Sequence, residues 1–409
     1  MKLQPPRPAA RARPRRGPAP PTRGGYRHAL RPRRLLAACL AGPLTLAWAG
    51  VGFAQSGEFD PWGLAAAESS STGLDTLALP AAAELSDDGF DPDRLGPSLT
   101  IFYENDGSFI RPASNSDRHY TSGQGLTVAW HRDAADGLAD RLGLEHEGTA
   151  AGLSLVQQMF TPRNIGIPDP PLTDRPYAGY LYLGGYLQRQ YRNQFDHLEL
   201  DIGIVGPSSG AEFNQEWIHD LLHQIDPDWS TQLGDELAVN LSYRHKWRID
   251  LSERDEPYGV AGGNREYAWQ LLPEVGVDVG TVYRRAHAGA TLRFGFNLPD
   301  DFGPGRLIEP GSATGQPIRG LSTYGYVKAV GRYVEWNTFI EGSYSRNPSR
   351  AVSLQPWLGE FSAGFGVDWQ YNNWVCNVTY GQTFRTREFE TQGTDDAFGH
   401  VAIRLQYAF

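Results

Sequence analysis

Sulfur is nearly missing from this 409-residue chain, which holds two cysteines, Cys39 and Cys376, and two methionines. Cys39 falls in a leader-like stretch, so a processed chain would keep Cys376 alone and could form no intrachain disulfide. Acidic residues are absent from the first 54 positions, where one Lys and ten Arg stand among many Pro and Ala. Such a segment cannot bury a core. After residue 54 there is no apolar run approaching the roughly 20 residues a helix needs to cross a bilayer, which excludes helical spans there.

The leader reads as an exported one. After Arg33-Arg34, the Ala/Leu-rich stretch 35–54 ends in Gly52-Phe53-Ala54, as a secretory h-region with a small-residue cleavage site does. A membrane anchor fits less well, because Gly42, Pro43, Gly50 and Gly52 interrupt the stretch. The lipobox-like Leu36-Ala37-Ala38-Cys39 lies too close to Arg34 to leave an h-region before it. Residues 1–54 are thus expected to be a basic extension plus signal peptide, 55–95 a flexible periplasmic lead-in, and 96–409 the folded domain. Without the 11 leader cations, 26 Lys and Arg remain against 47 Asp and Glu, near −21 net. That balance argues against nucleic acid as a partner and suits an exported protein that meets divalent cations.

From Ser98 onward the chain gives segments of alternating side-chain character between turn residues, the pattern of an outer-membrane barrel. In the last segment Val401, Ile403, Leu405, Tyr407 and Phe409 point one way, and Ala402, Arg404, Gln406 and Ala408 the other. The 11 Trp and 19 Tyr would form interfacial girdles. A soluble aromatic-rich sandwich is the alternative. Thirteen candidate strands emerge: 98–104, 122–131, 152–160, 177–191, 196–205, 237–249, 267–281, 284–297, 321–332, 334–344, 358–371, 373–387 and 399–409. A single-chain bacterial barrel needs an even number, so one of them is in error.

One helix is expected to interrupt these strands, Ser209 to Ile225, with Ser209 and Glu212 at capping-box spacing. Phe213, Trp217, Ile218, Leu221, Leu222 and Ile225 form its apolar face, expected to lie against the sheet, and Gln215, His219 and His223 line the opposite side. A histidine so placed can serve as a base, although a surface histidine is the commoner reading. At the end of the first strand stands Tyr103-Glu104-Asn105-Asp106, and Asp117-Arg118-His119-Tyr120-Thr121-Ser122-Gly123 opens the second. Their oxygen donors suit Ca²⁺ better than zinc, while an Asx turn ending a strand explains the first block equally well.

These two blocks, with Thr161-Pro162, Asp174-Arg175-Pro176-Tyr177-Ala178-Gly179, and Gly203 to Pro207 leading to Gln215 and His219, resemble the outer-membrane lipid A 3′-O-deacylases of the LpxR type. The resemblance implies an all-β, transmembrane antiparallel barrel of about 12 strands with one short helix at the active site. It implies a bacterial outer-membrane location, a monomeric state, and lipid A of lipopolysaccharide as substrate. The activity implied is Ca²⁺-dependent hydrolysis of the 3′-linked acyloxyacyl ester. Carried over by position, His219 is the catalytic base, Asn105 and Thr121 complete the catalytic set, and Asp106 is the Ca²⁺ ligand. Gln215 and Arg175 would bind substrate, Arg175 through a lipid A phosphate, against the alternative of an ion pair with Asp174 or Asp106. A Glu that follows the His by six positions in the family is Ile225 here, so either Asp226 replaces it after a one-residue shift or that residue is dispensable.

Such a site would work by water activation. A neutral imidazole takes a proton from water near neutral pH, while Ca²⁺ and nearby N–H or hydroxyl groups stabilise the oxyanion. A serine nucleophile, Ser122 or Ser209, is the competing scheme. Other readings are an outer-membrane phospholipase and a non-catalytic, porin-like barrel.

Overall fold

The computed structural model describes residues 95–106, 117–130, 133–252, 267–318, 320–345 and 350–409, so the expected leader and all of the lead-in but Leu95 lie outside the described residues. Twelve strands form the wall: β1 (Ser98–Asn105), β2 (His119–Trp130), β3 (Gly148–Thr161), β4 (Ala178–Tyr191), β5 (Gln194–Val205), β6 (Glu236–Trp247), β7 (Tyr267–Gly280), β8 (Tyr283–Phe296), β9 (Leu321–Asn337), β10 (Trp357–Tyr371), β11 (Trp374–Arg385) and β12 (Asp396–Tyr407). A two-residue ladder at Ile249–Asp250 prolongs β6 along β7. Each strand pairs antiparallel with its neighbours; β1 also pairs with β12, and Asn240–Lys246 of β6 pairs with Glu274–Gly280 of β7. The sheet therefore closes on itself and leaves no open edge.

The even count resolves the expected thirteen. Segment 321–332 and the start of segment 334–344, as far as Asn337, are one strand, β9, whose register shifts between Val334 and Trp336. The extra residue breaks the alternation there and mimics a strand boundary. Beyond it, Asn337 accepts a hydrogen bond from the Phe339 amide and starts a one-turn helix, α3 (Thr338–Glu341). The helix after β5 is α2 (Ala211–Leu222), and it is not alone, because α1 (Asp133–Arg141) lies between β2 and β3. Leu95, which pairs with Ala408, and α1 share one end of the barrel, the periplasmic one; α2 and α3 share the other.

Burial runs opposite to that of a water-soluble protein. Leu183, Ile202, Leu237 and Val279 are more than half exposed on the outside, while Glu104, Arg293, Glu309 and Arg332 are buried inside. Along β9 the two classes alternate almost without exception. A soluble sandwich would bury the first set and expose the second; an apolar outer band around a polar interior is the membrane-barrel pattern. Exposed aromatics mark the two ends, with Tyr267, Tyr371 and Trp374 at the periplasmic end and Tyr333 and Trp357 at the other.

The interior is filled. The connection from β8 to β9 turns back into the lumen, burying Phe302, Leu307 and Ile318. It doubles on itself so tightly that a Cβ on Gly305 would lie 2.6 Å from the Gly311 amide. Around it an unbroken series of opposite charges runs along the lumen: Lys246 to Glu274 (3.7 Å), Glu274 to Lys328 (2.8 Å), Lys328 to Glu309 (2.6 Å), Glu309 to Arg332 (3.0 Å), Arg332 to Glu360 (2.8 Å), Glu360 to Arg385 (2.7 Å), Arg385 to Glu388 (3.4 Å) and Glu388 to Arg175 (3.1 Å). A cavity beside Tyr186, Asp301 and Arg404 and another beside Arg332, Glu360 and Arg385 are of water size, about 30 and 20 Å³.

Two outcomes follow from this filling. Glu360→Ala leaves Arg332, Arg385 and Arg306 without their shared carboxylate, so denaturant unfolding of the refolded barrel should show a loss of about 3–5 kcal/mol. In planar bilayers the intact protein should give no steady ion conductance.

Candidate functional site between helix and barrel wall

The upper outer wall of β1 to β4 departs from the apolar pattern. On β3, Leu153 and Leu155 face outward, and the same alternation carries Gln157, Met159 and Thr161 to that face; the two leucines are exposed or half-buried, and the three residues above them are buried. On the same face, Gln124 of β2 lies opposite Gln157, and Asn105 of β1 opposite Ser122. Glutamine and asparagine on a lipid-facing wall need cover and partners. The connection from β5 to β6, which contains α2, supplies both.

It docks through polar groups. Gln157 donates from Nε2 to the Ser209 carbonyl at 2.7 Å, and its Oε1 accepts from Gln124 Nε2 at 2.8 Å and from Asn214 Nδ2 at 2.5 Å. The helix residues buried against the wall are Ala211, Asn214, Gln215 and His219. Leu221, Leu222 and Ile225 are about half exposed. This reverses the expected orientation, since the polar side faces the wall and the apolar side faces away. The reversal follows from the solvent: a helix outside the barrel at membrane depth meets lipid on its outer side.

The helix start differs as well. A 3₁₀ turn over Pro207–Ser209 precedes α2, and its N-cap is Gly210 at φ 73°, a left-handed conformation that favours glycine, with no side-chain capping bond. Close approach is permitted by Gly179 on β4, where a Cβ would come within 2.1 Å of Ser209 Oγ and 2.5 Å of Ala211 Cβ. Below the helix, Met159, Ile165, Tyr177, Ala211 and Trp229 form a small apolar cluster.

His219 is held at both ring nitrogens. Nδ1 lies 2.6 Å from the Ile225 carbonyl oxygen, which can only accept, so this nitrogen carries a proton. Nε2 faces Asp117 Oδ2 at 2.8 Å. Burial favours the neutral ring, but the bonds to Asp117 and Ile225 and the charges of Asp117 and Asp226 outweigh it and raise the His219 pKa above the ordinary histidine value. Asp117 was legible only as part of its sequence block; its pairing with His219, 102 positions on, was not.

From Asp117 the chain leads directly to the other predicted residues. The next amide, of Arg118, donates to Asp106 Oδ2 at 2.9 Å. The Asp106 amide donates to the Thr121 carbonyl at 3.1 Å, as does Asn105 Nδ2 at 3.2 Å. Thr121 is the extra residue where the β2–β3 register shifts between Tyr120 and Ser122, a bulge that turns its hydroxyl toward Thr161 Oγ1 at 2.7 Å. Asn105, Asp106, Thr121 and His219 are thus joined through Asp117 and Arg118. Gln215 accepts from Trp229 Nε1 at 2.9 Å and keeps a buried Nε2 without an acceptor. A ligand would satisfy it.

Arg175 stands apart. It is 1% exposed, inside the wall, with Nη1 on Glu388 at 3.1 Å, Nη2 on the Phe339 carbonyl at 3.3 Å and its guanidinium over the Phe160 ring. Its position corrects the expected phosphate contact: it forms the ion-pair alternative, but with Glu388 in place of Asp174 or Asp106. The serines are taken by the backbone, Ser122 Oγ donating to the Glu104 carbonyl and Ser209 Oγ accepting from the Ala211 amide. Around Asp106 the donor set of carboxylate, amide, hydroxyl and carbonyl oxygens fits Ca²⁺. Among the described residues, the group Glu274, His287 and Glu309 in the lumen could also be considered for a metal. There Lys246, Lys328 and Arg332 already pair with the two carboxylates.

With this geometry in hand, comparison with known proteins is informative. The sequence profile of the outer-membrane protein LpxR family matches residues 72–408. The chain belongs to the LpxR family. It is a bacterial outer-membrane barrel. Among solved structures, LpxR from Salmonella typhimurium aligns at 18% identity with a TM-score of 0.59, covering 76% of this chain and all of that one. The β domain of the Bordetella autotransporter BrkA aligns at 12% identity and a TM-score of 0.36, covering 78% of this chain and all of its own. The translocator domain of NalP from Neisseria meningitidis aligns at 9% and 0.30, covering 79% and 91%. No curated protein matches the sequence.

Docking through Gly179 can be tested directly. Gly179→Val should push α2 off the wall, so that proteases cut within 206–235 faster than in the parent, while the heat-modifiable mobility of the folded barrel is kept.

Proposed function

We propose that the protein is a lipid A 3′-O-deacylase that hydrolyses the 3′-linked acyloxyacyl ester in the outer leaflet, with His219 as general base. The observation that carries this reading is the placement of His219, Asp117, Asp106, Asn105 and Thr121 outside the wall, under a helix whose outer side is apolar. A substrate with its acyl chains in the membrane reaches such a place without leaving the membrane. Membership of the LpxR family supports the same substrate class.

The Ile225 carbonyl keeps the proton on Nδ1, and Nε2, which donates to Asp117 while the ring is charged, accepts a proton from water once the ring is neutral and water takes the place of the Asp117 contact. Asp117 holds the ring in place and favours its charged form. Water that gives a proton to Nε2 attacks the ester carbonyl carbon; the tetrahedral intermediate collapses, and His219 returns the proton to the sugar oxygen as the fatty acid leaves. Asn105 and Thr121 bring N–H and O–H groups to the side of the oxyanion. Asp106, with oxygen atoms of Asn105 and Thr121, would hold Ca²⁺, which when bound supplies positive charge to that oxyanion. Gln215 Nε2 is the donor for a substrate oxygen.

Purified protein on hexa-acylated lipid A should release a fatty acyl group, and His219→Ala should lower the rate by about 10²–10⁴-fold. Activity needs neutral His219, so kcat/KM should rise with pH through a midpoint above the usual histidine value of about 6.5. Asp117→Asn removes the partner that raises this pKa and should move the midpoint to lower pH. An unshifted midpoint in a folded Asp117→Asn variant contradicts the pairing. Chelation of Ca²⁺ should abolish the activity and its re-addition restore it.

A further inference from the structure

Resting on that reading of the outer site, we infer that the loop folded into the lumen sets its geometry from the other side of the barrel wall, with Glu104, Arg306 and Leu307 as positioning residues. Glu104 directly precedes Asn105 and Asp106, and its side chain points inward and is 1% exposed. Its Oε2 accepts from Tyr120 Oη at 2.7 Å, and Tyr120 directly precedes the bulged Thr121. Its Oε1 accepts from the Leu307 amide at 3.2 Å and from Arg306 Nε at 3.4 Å. One carboxylate thus ties together the two strand segments that carry Asn105, Asp106 and Thr121, and it is held by a loop that enters from the periplasmic end.

That loop segment is itself fixed. Arg306 and Glu309 exchange backbone hydrogen bonds at 3.0 Å, Arg306 Nη1 lies 3.6 Å from Glu360, and its guanidinium sits over the Phe398 ring. Leu307, 2% exposed, presses on the inner wall where β2 has no side chains: a Cβ on Gly123 would lie 2.4 Å from Leu307 Cδ2, and one on Gly125 2.6 Å from Leu307 Cδ1. Strand neighbours alternate in direction, so displacement of Glu104 or Tyr120 on the inside moves Asn105 or Thr121 on the outside. Misplacing a reacting group by about 1 Å can cost about 10²-fold in rate.

The test compares Glu104→Gln, Gly125→Ala, Leu307→Ala and the double variant Gly125→Ala/Leu307→Ala, each first shown to be folded by heat-modifiable mobility. Initial rates of fatty acid release from lipid A are measured in mixed micelles. Positioning predicts that kcat falls about 10-fold or more in each single variant with KM within twofold of the parent, because none of these residues meets substrate. It further predicts that the double variant recovers kcat above both single ones, since the added methyl occupies space the shortened side chain leaves. Single variants with parental kcat, or a double variant no better than its parents, overturn the proposal. An inactive parent protein overturns the deacylase reading instead, and the two failures are thereby distinguished.

Discussion

Twelve strands closed in an apolar solvent leave their polar side chains one direction to face, and the lumen must then satisfy its own charges. The series from Lys246 to Arg175 does so by alternating sign at nearly every contact. Because each carboxylate is shared between cations, removing one member strands several others. Among the described residues, the cavities this filling leaves beside the folded-in loop are about 30 and 20 Å³, the size of water. On the outside, the buried polar residues of the upper wall are the exception to an otherwise apolar face.

The site is built by breaking the wall's own rule. Gln124, Gln157 and Asn105 occupy outward positions where leucine would suit lipid, and α2 packs on Gln157 through Asn214, with Gln215 and His219 buried beside it. The bulge at Thr121 and the left-handed Gly210 are the local distortions that allow it. Two buried histidine contacts, to Asp117 and to the Ile225 carbonyl, then hold the ring in one orientation. A backbone oxygen, that of Ile225, holds one side of the ring and an aspartate from another loop the other.

Much of the wall was legible in the sequence, because β12 and most other strands alternate cleanly and the terminal Phe409 closes a two-faced segment. The reading failed where geometry interrupts the period. The register shift at Val334/Trp336 split β9 into two and gave an odd count. The α2 orientation was misjudged because an apolar helix face points inward only when water lies outside, whereas here the outer side meets lipid. Ser209 at capping-box spacing was misleading, since the chain turns at Gly210 before the helix begins. No local pattern could reveal that Arg175 pairs with Glu388, 213 residues away. The Asn105-Asp106, Thr121 and His219 positions were singled out through family resemblance, and the hydrogen bonds that join them through Asp117 came only with the fold.

The claim on which all of this turns is that acyl chains meet the protein on its outer face beside α2 and not in its lumen. Photo-crosslinking with a lipid A analogue carrying a light-activated group in its 3′-linked acyl chain, followed by mass-spectrometric mapping, tests it most directly. Labelling of Leu221, Leu222, Ile225 or the outer faces of β3 and β4 is the expected result. Labelling of lumen residues such as Leu307 or Tyr324 would contradict it.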